Sequence, residues 1–157
     1  MINGIHHIAI STSNFEQIIA FYCNVIGAEF VSKGGWDKGN KSFDQAVGLK
    51  DSSAQQAMLR LNNVYIEIFE YYTPKPKSKD SLYPPNDHGY THICLDVTDI
   101  HSEYERLVAA GMKFNAPPGD FVDGAVRATY GRDPDGNIIE IQEIMSKDFP
   151  FYLNTGN

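Results

Sequence analysis

Gly4-Ile5-His6-His7-Ile8-Ala9-Ile10 returns later in the chain as Gly89-Tyr90-Thr91-His92-Ile93-Cys94-Leu95, with Gly4 matching Gly89 and His7 matching His92. Each copy runs into the same kind of sequel. After the first, Asn14 stands as a helix cap with Gln17 three residues on, and Phe15, Ile18, Ile19, Tyr22, Val25 and Ile26 recur at helical spacing until Gly27. After the second, Asp99 takes the cap position, Ile100, Tyr104, Leu107 and Val108 supply the apolar stripe, and Gly111 ends it. Extended segments follow at residues 28–32 and 112–115.

The two halves also end alike. Asn63-Val64-Tyr65-Ile66-Glu67-Ile68-Phe69-Glu70 aligns with Gly136-Asn137-Ile138-Ile139-Glu140-Ile141-Gln142-Glu143, and both are rich in strand-forming residues. The second is preceded by Asp133-Pro134-Asp135-Gly136, a tight turn in which glycine supplies a positive φ. Further strands are expected at residues 57–61 and 125–130. Each half therefore reads as strand, helix, strand, strand, strand. Module one covers about residues 4–72 and module two about 89–145, with a linker over about 73–88 and a tail at 146–157, all in a single domain. The linker region carries Pro74, Pro76, Pro84 and Pro85, which argue for an ordered, irregular connection. Residues 34–54, with Trp36, Phe43 and Asp44, read as a second long irregular stretch, either covering a site or packed on its own aromatics.

Strand side chains alternate between faces. In all four matched strands one face is aliphatic, as with Ile66 and Ile68 or Ile139 and Ile141, and suits packing under a helix. The other face carries His7, Glu67, His92 or Glu140. A mid-strand carboxylate among apolar residues is costly unless something pairs with it, and one bound cation would pair with both glutamates. Two imidazoles and two carboxylates suit a first-row divalent metal. Singly, each is more often a hydrogen-bonded, salt-bridged or solvent-facing strand residue than a ligand; as two repeat-matched pairs they are hard to assign to chance. His6, His88 and His101 have no matched partner and read as surface residues. Tyr65, Phe69, Cys94 and Ile138 share the ligand-bearing face, with Arg127, Tyr130 and Arg60 on neighbouring strands. An arginine there would bind a substrate carboxylate or phosphate, against the plainer expectation of a surface ion pair.

Composition narrows the classes. The formal net charge is −7, and the cations are scattered apart from Lys75, Lys77 and Lys79. That balance disfavours nucleic-acid binding, which needs clustered cations. No run approaches the roughly 20 apolar residues of a membrane span. The N-terminal segment lacks a basic, then apolar, leader, so a cytoplasmic location is expected. Cys23 and Cys94, the two cysteines, are expected as free thiols.

At the segments GIHHIAIS, FYCNVIGAEF, YIEIFE, GYTHICLDV and RDPDGNIIEIQE the chain resembles the vicinal-oxygen-chelate superfamily of glyoxalase I, methylmalonyl-CoA epimerase, extradiol dioxygenases and fosfomycin- or bleomycin-resistance proteins. The resemblance spans roughly residues 4–145. It implies an α+β fold of two βαβββ modules pairing into a curved mixed sheet around a metal site. It puts His7, Glu67, His92 and Glu140 on the four ligand positions for one divalent ion (Ni, Co, Zn, Mn or Fe). Extradiol dioxygenases use three of these and leave the position of Glu67 without a ligand. The glutamate present here resembles glyoxalase I and the epimerases instead.

The implied activity is that of a lyase or isomerase on a small molecule with two adjacent oxygens, through a metal-stabilised enolate, with Glu67 or Glu140 as the base. A mononuclear iron dioxygenase and a small-molecule binding or resistance protein are the alternatives. The residues that contact glutathione or CoA in those relatives have no clear match here. A homodimer is implied, with the ligands supplied by one chain or by two.

Overall fold

The computed structural model describes residues 1–78 and 80–154, so Lys79 of the lysine cluster lies outside the described residues. The chain forms two compact units, Met1–Lys79 and Asp80–Asn157.

In the first unit β1 (His7–Ser11) leads to α1 (Phe15–Phe21), which continues as a π-helical turn over Tyr22–Ile26 and stops at Gly27, φ 92°. Then come β2 (Glu29–Trp36), α2 (Lys41–Val47), β3 (Ser53–Leu61) and β4 (Val64–Thr73). The sheet order is β1-β4-β3-β2, with β1 parallel to β4 and the other pairs antiparallel. The helix forms where its cap does: the Asn14 side chain accepts from the Gln17 backbone N–H, while its amide donates to Gln17 Oε1 at 2.8 Å. Phe15, Ile18 and Phe21 are buried on α1, as are Ile66 and Ile68 on β4 and Ala57 and Leu59 on β3. Each fully buried isoleucine contributes about 1.5–3 kcal/mol by leaving water. That aliphatic layer decides which way β4 faces, and so leaves Glu67 on the opposite side.

Residues 34–54 are more regular than the sequence suggests. The β2 strand runs to Trp36, β3 starts at Ser53, and α2 lies between, capped by the Asn40 side chain and ended by Gly48 at φ 69°. With seven residues and none buried, α2 has no apolar stripe to betray it. Gly35 looks like a strand breaker but is required: a Cβ there would meet the Ala54 carbonyl oxygen at 2.3 Å. The region packs on itself. Trp36 stacks on Phe43 at 4.5 Å, and its indole N–H donates to Ser52 Oγ at 2.9 Å. Ser52 donates in turn to Asp44 through its hydroxyl at 2.5 Å and its backbone N–H at 2.8 Å. Of the two expectations for this stretch, its contacts match the aromatic packing.

The second unit repeats the plan with β5 (His92–Asp96), α3 (Ile100–Ala109), β6 (Lys113–Phe114), β7 (Gly119–Phe121), β8 (Val126–Arg132) and β9 (Ile138–Ile144). Its sheet order is β5-β9-β8-β6, with β7 also on β8 and β5 parallel to β9. Asp99 caps α3, and Glu143 accepts from the Asp99 and Ile100 N–H groups at 2.8 and 3.1 Å. Ile100 and Leu107 on α3 and Ile139 and Ile141 on β9 are buried, so Glu140 again faces away from that layer. The β7 strand, three residues long, is too short for alternation to reveal. Cys23 and Cys94 are free, and no helix among the described residues is long and apolar enough to cross a membrane.

Candidate metal centre

Each unit brings one histidine and one glutamate together. In the first, β1 lies parallel to β4 with His7 opposite Tyr65 and Ala9 opposite Glu67, and His7 Nε2 reaches to 3.2 Å from Glu67 Oε2. In the second, His92 lies opposite Ile138 and Cys94 opposite Glu140, and His92 Nε2 is 3.1 Å from Glu140 Oε2. The same offset of one pleat gives the same contact twice. Side-chain exposure is 41% and 29% for the two histidines but only 17% and 15% for the glutamates. The imidazoles are therefore reachable, and the carboxylates sit deeper.

The donor atoms of each pair suit a divalent ion. Two ligand atoms about 2.0–2.2 Å from one metal stand roughly 3 Å apart when neighbouring in its shell, the spacing each His–Glu pair shows. The far side of each ring is also engaged. His92 Nδ1 lies 2.8 Å from Thr91 Oγ1, and His7 Nδ1 lies 3.0 Å from His6 Nδ1. An Nδ1–H donated to the threonine hydroxyl leaves the Nε2 lone pair of His92 free for a ligand role. Among the described residues no group of three or more His, Cys, Asp and Glu side chains stands ready to hold a metal by itself. Each unit offers a pair.

The partners of the two glutamates differ. Gln56 Nε2 donates to Glu67 Oε1 at 2.9 Å. Glu140 instead takes hydrogen bonds from the Cys94 thiol and the Tyr130 hydroxyl. Burial, then the Glu140 charge, pushes the Cys94 thiol up to about 12 and raises Tyr130 as well, so both stay protonated donors at neutral pH. Burial, followed by the Glu67 charge, likewise raises Tyr71.

The expected pocket residues divide. Tyr130 is opposite Glu140 on β8, its ring 5.1 Å from that of His92, and Cys94 is beside Glu140. Tyr65 is next to His7 in register and is stacked on by His6 at 4.9 Å. Phe69 shares the Glu67 face but leans on Trp36 and Tyr71. Arg127 is opposite Glu143, an odd number of residues from Glu140, so it projects to the other face, where its Nε pairs with Asp120 at 2.8 Å. Arg60 likewise pairs with Glu29. For both arginines the plainer expectation of an ion pair matches the contacts observed. Gln56 has no counterpart in the repeat, which carries alanine, Ala128, at the matching place, so no repeat signal marks it. Its signal was the two-residue turn after Leu61: pairing back from Leu61 and Val64 puts Gln56 and Glu67 on one face. His6, exposed as expected, nonetheless touches His7, because the strand begins only at His7 and alternation does not bind the residue before it.

Several known proteins are similar to this chain. It is 29% identical over 149 residues to a 2-epi-5-epi-valiolone epimerase of Actinomyces sp, covering 88% of this chain and 78% of the relative. It is 25% identical over 141 residues to a probable lactoylglutathione lyase of Synechocystis, covering 90% and 95%. The solved structure of a glyoxalase family protein from Bacillus cereus matches with a TM-score of 0.81 at 20% identity, over 93% of this chain and 97% of that one. A fosfomycin resistance protein from Listeria monocytogenes, crystallised with Mn(II) and sulfate, matches with a TM-score of 0.61 at 20% identity, over 91% and 93%. Residues 4–141 match the model of the glyoxalase/bleomycin resistance protein/dioxygenase superfamily, and the chain belongs to that superfamily.

Proposed function

We propose that the protein is a metal-dependent isomerase or lyase acting on a small molecule with two adjacent oxygens, and that its two His–Glu pairs serve one divalent ion. The observation that carries this is the duplicated contact of Nε2 with Oε2, at 3.2 Å for His7 and Glu67 and 3.1 Å for His92 and Glu140. The epimerase and lyase names among its relatives, and the Mn(II) in a fosfomycin resistance protein of the same fold, support it.

When bound, the ion supplies Lewis acidity to the two oxygens and eases loss of the proton on the adjoining carbon. His7 and His92 act as nitrogen donors. Glu67 and Glu140 are the two candidate bases for that proton, and one of them accepts it at a carboxylate oxygen. Cys94 and Tyr130 hold Glu140 by donating to it. Arg127, committed to Asp120 on the opposite face, has no part in it.

The test is proton exchange in deuterated water with metal-loaded protein, over a panel of 2-oxoaldehyde–thiol adducts and 2-substituted acyl thioesters. Deuterium entry at the carbon beside the carbonyl is expected, falling by about a hundredfold or more in Glu67→Gln or Glu140→Gln. Parent-rate turnover in both metal-loaded variants would overturn the assignment.

A further inference from the structure

Glu67 and Glu140 are matched by the repeat, yet their neighbours are not. Across the ladder from Glu140 on β8 stands Tyr130, a hydrogen-bond donor to it; across from Glu67 on β3 stands Met58, which has nothing to donate. The donor to Glu67 comes from the next pleat of β3. Gln56, opposite Phe69, sends its amide N–H diagonally to Glu67 Oε1 at 2.9 Å. An ionised carboxylate only accepts, so the amide must present its nitrogen there. The other oxygen, Oε2, is the one turned to His7 Nε2 at 3.2 Å.

A glutamate's terminal torsion is broad and roughly two-fold, so a free carboxylate interchanges its oxygens and can offer either one or both to a cation. Here one is already spoken for. We infer that Gln56 is a positioning residue that holds Glu67 as a single-oxygen ligand through Oε2, beside Nε2 of His7. The inference rests on the metal centre proposed above. It also gives the two glutamates distinct standing: Glu67 is steadied by a neutral amide from β3, and Glu140 by a thiol and a phenol.

The test is a Co(II) titration of chelator-treated protein, parent beside Gln56→Met, which keeps length and loses the donor. Affinity is read by competition with a chelating dye and coordination by the visible Co(II) bands. In Gln56→Met, affinity should fall about ten- to hundredfold, in the range found for outer-shell partners of metal ligands. The bands should weaken as the released carboxylate adds its second oxygen to the shell. A purely structural role would leave the bands in place. As a second measurement, the Gln56 side-chain N–H signals of the parent should shift when diamagnetic Zn(II) is added. Parent affinity and parent bands in Gln56→Met, or Gln56 signals unmoved by zinc, would overturn the inference while leaving the metal centre intact. A parent that takes up no Co(II) would instead overturn the proposed function.

Discussion

The imidazole of His92 is held from both sides, with Nε2 3.1 Å from Glu140 Oε2 and Nδ1 2.8 Å from Thr91 Oγ1. A ring fixed at Nδ1 presents Nε2 in one tautomer and one direction. Replacing Thr91 by Val removes the hydroxyl and keeps the branched shape. Divalent-metal affinity is expected to fall roughly tenfold, within the range for such partners. The melting temperature of the metal-free protein should stay nearly unchanged. Dye-competition titration and thermal melts check the two together.

The turn before β9 carries the linker against it. Arg132 donates to the carbonyls of Gly136 and Tyr83, both at 2.8 Å, and the Tyr83 hydroxyl donates to the Thr91 carbonyl at 3.0 Å. Gly136 sits at φ +83°, and a Cβ there would stand 2.2 Å from the Ser81 carbonyl oxygen. Gly136→Ala must therefore strain the turn and push the linker away. A loss of about 2 kcal/mol or more is expected, strained backbone alone costing roughly 1–3. Urea unfolding of the metal-free variant measures it, and a change below about 0.5 kcal/mol would contradict the close approach.

Asp44 shows a pH signature. Hydrogen bonds from the Ser52 hydroxyl, then from the Ser52 and Asp51 backbone N–H groups, hold its carboxyl below the usual carboxylate range. A depressed folded value gives stability above the unfolded value of about 3.9, lost as pH falls through the folded value. The parent should therefore melt above Asp44→Asn by a constant margin from pH 5 to 8, and the margin should close below about pH 4. Trp36, the single tryptophan, is linked to Asp44 through Ser52 and reports the change by fluorescence.

Cys94 is exposed as a residue, yet its thiol end is desolvated beside Glu140 and pushed up to about 12. In metal-free protein at pH 8 its alkylation by iodoacetamide should be far slower than that of a free thiol of pKa about 8.5. Glu140→Gln removes the adjacent charge and should speed it. Peptide mapping of the alkylated protein gives both rates.

The sequence carried the architecture because the repeat announced it twice. Two glycine-led strands, two capped helices and two strands with a central glutamate are each strong, local signals. Face alternation then separated His7, Glu67, His92 and Glu140 from the aliphatic layer. What stayed hidden depended on pairing across strands or on elements too short to have a period. Gln56 lies just outside the strand expected at residues 57–61, and its relation to Glu67 is a diagonal across β3 and β4. The strand that holds Arg127 is legible in the sequence but its register is not, and one residue's shift of parity changes the face. Helix α2 buries nothing, so only its caps, Asn40 and Gly48, marked it.

The metal centre is tested most directly by elemental analysis of the protein purified without added metal, beside His92→Ala. About one divalent ion per chain in the parent, lost in the variant, is the predicted result. A parent that carries no metal, even after reconstitution with Mn, Co, Ni, Zn or ferrous iron, would contradict it.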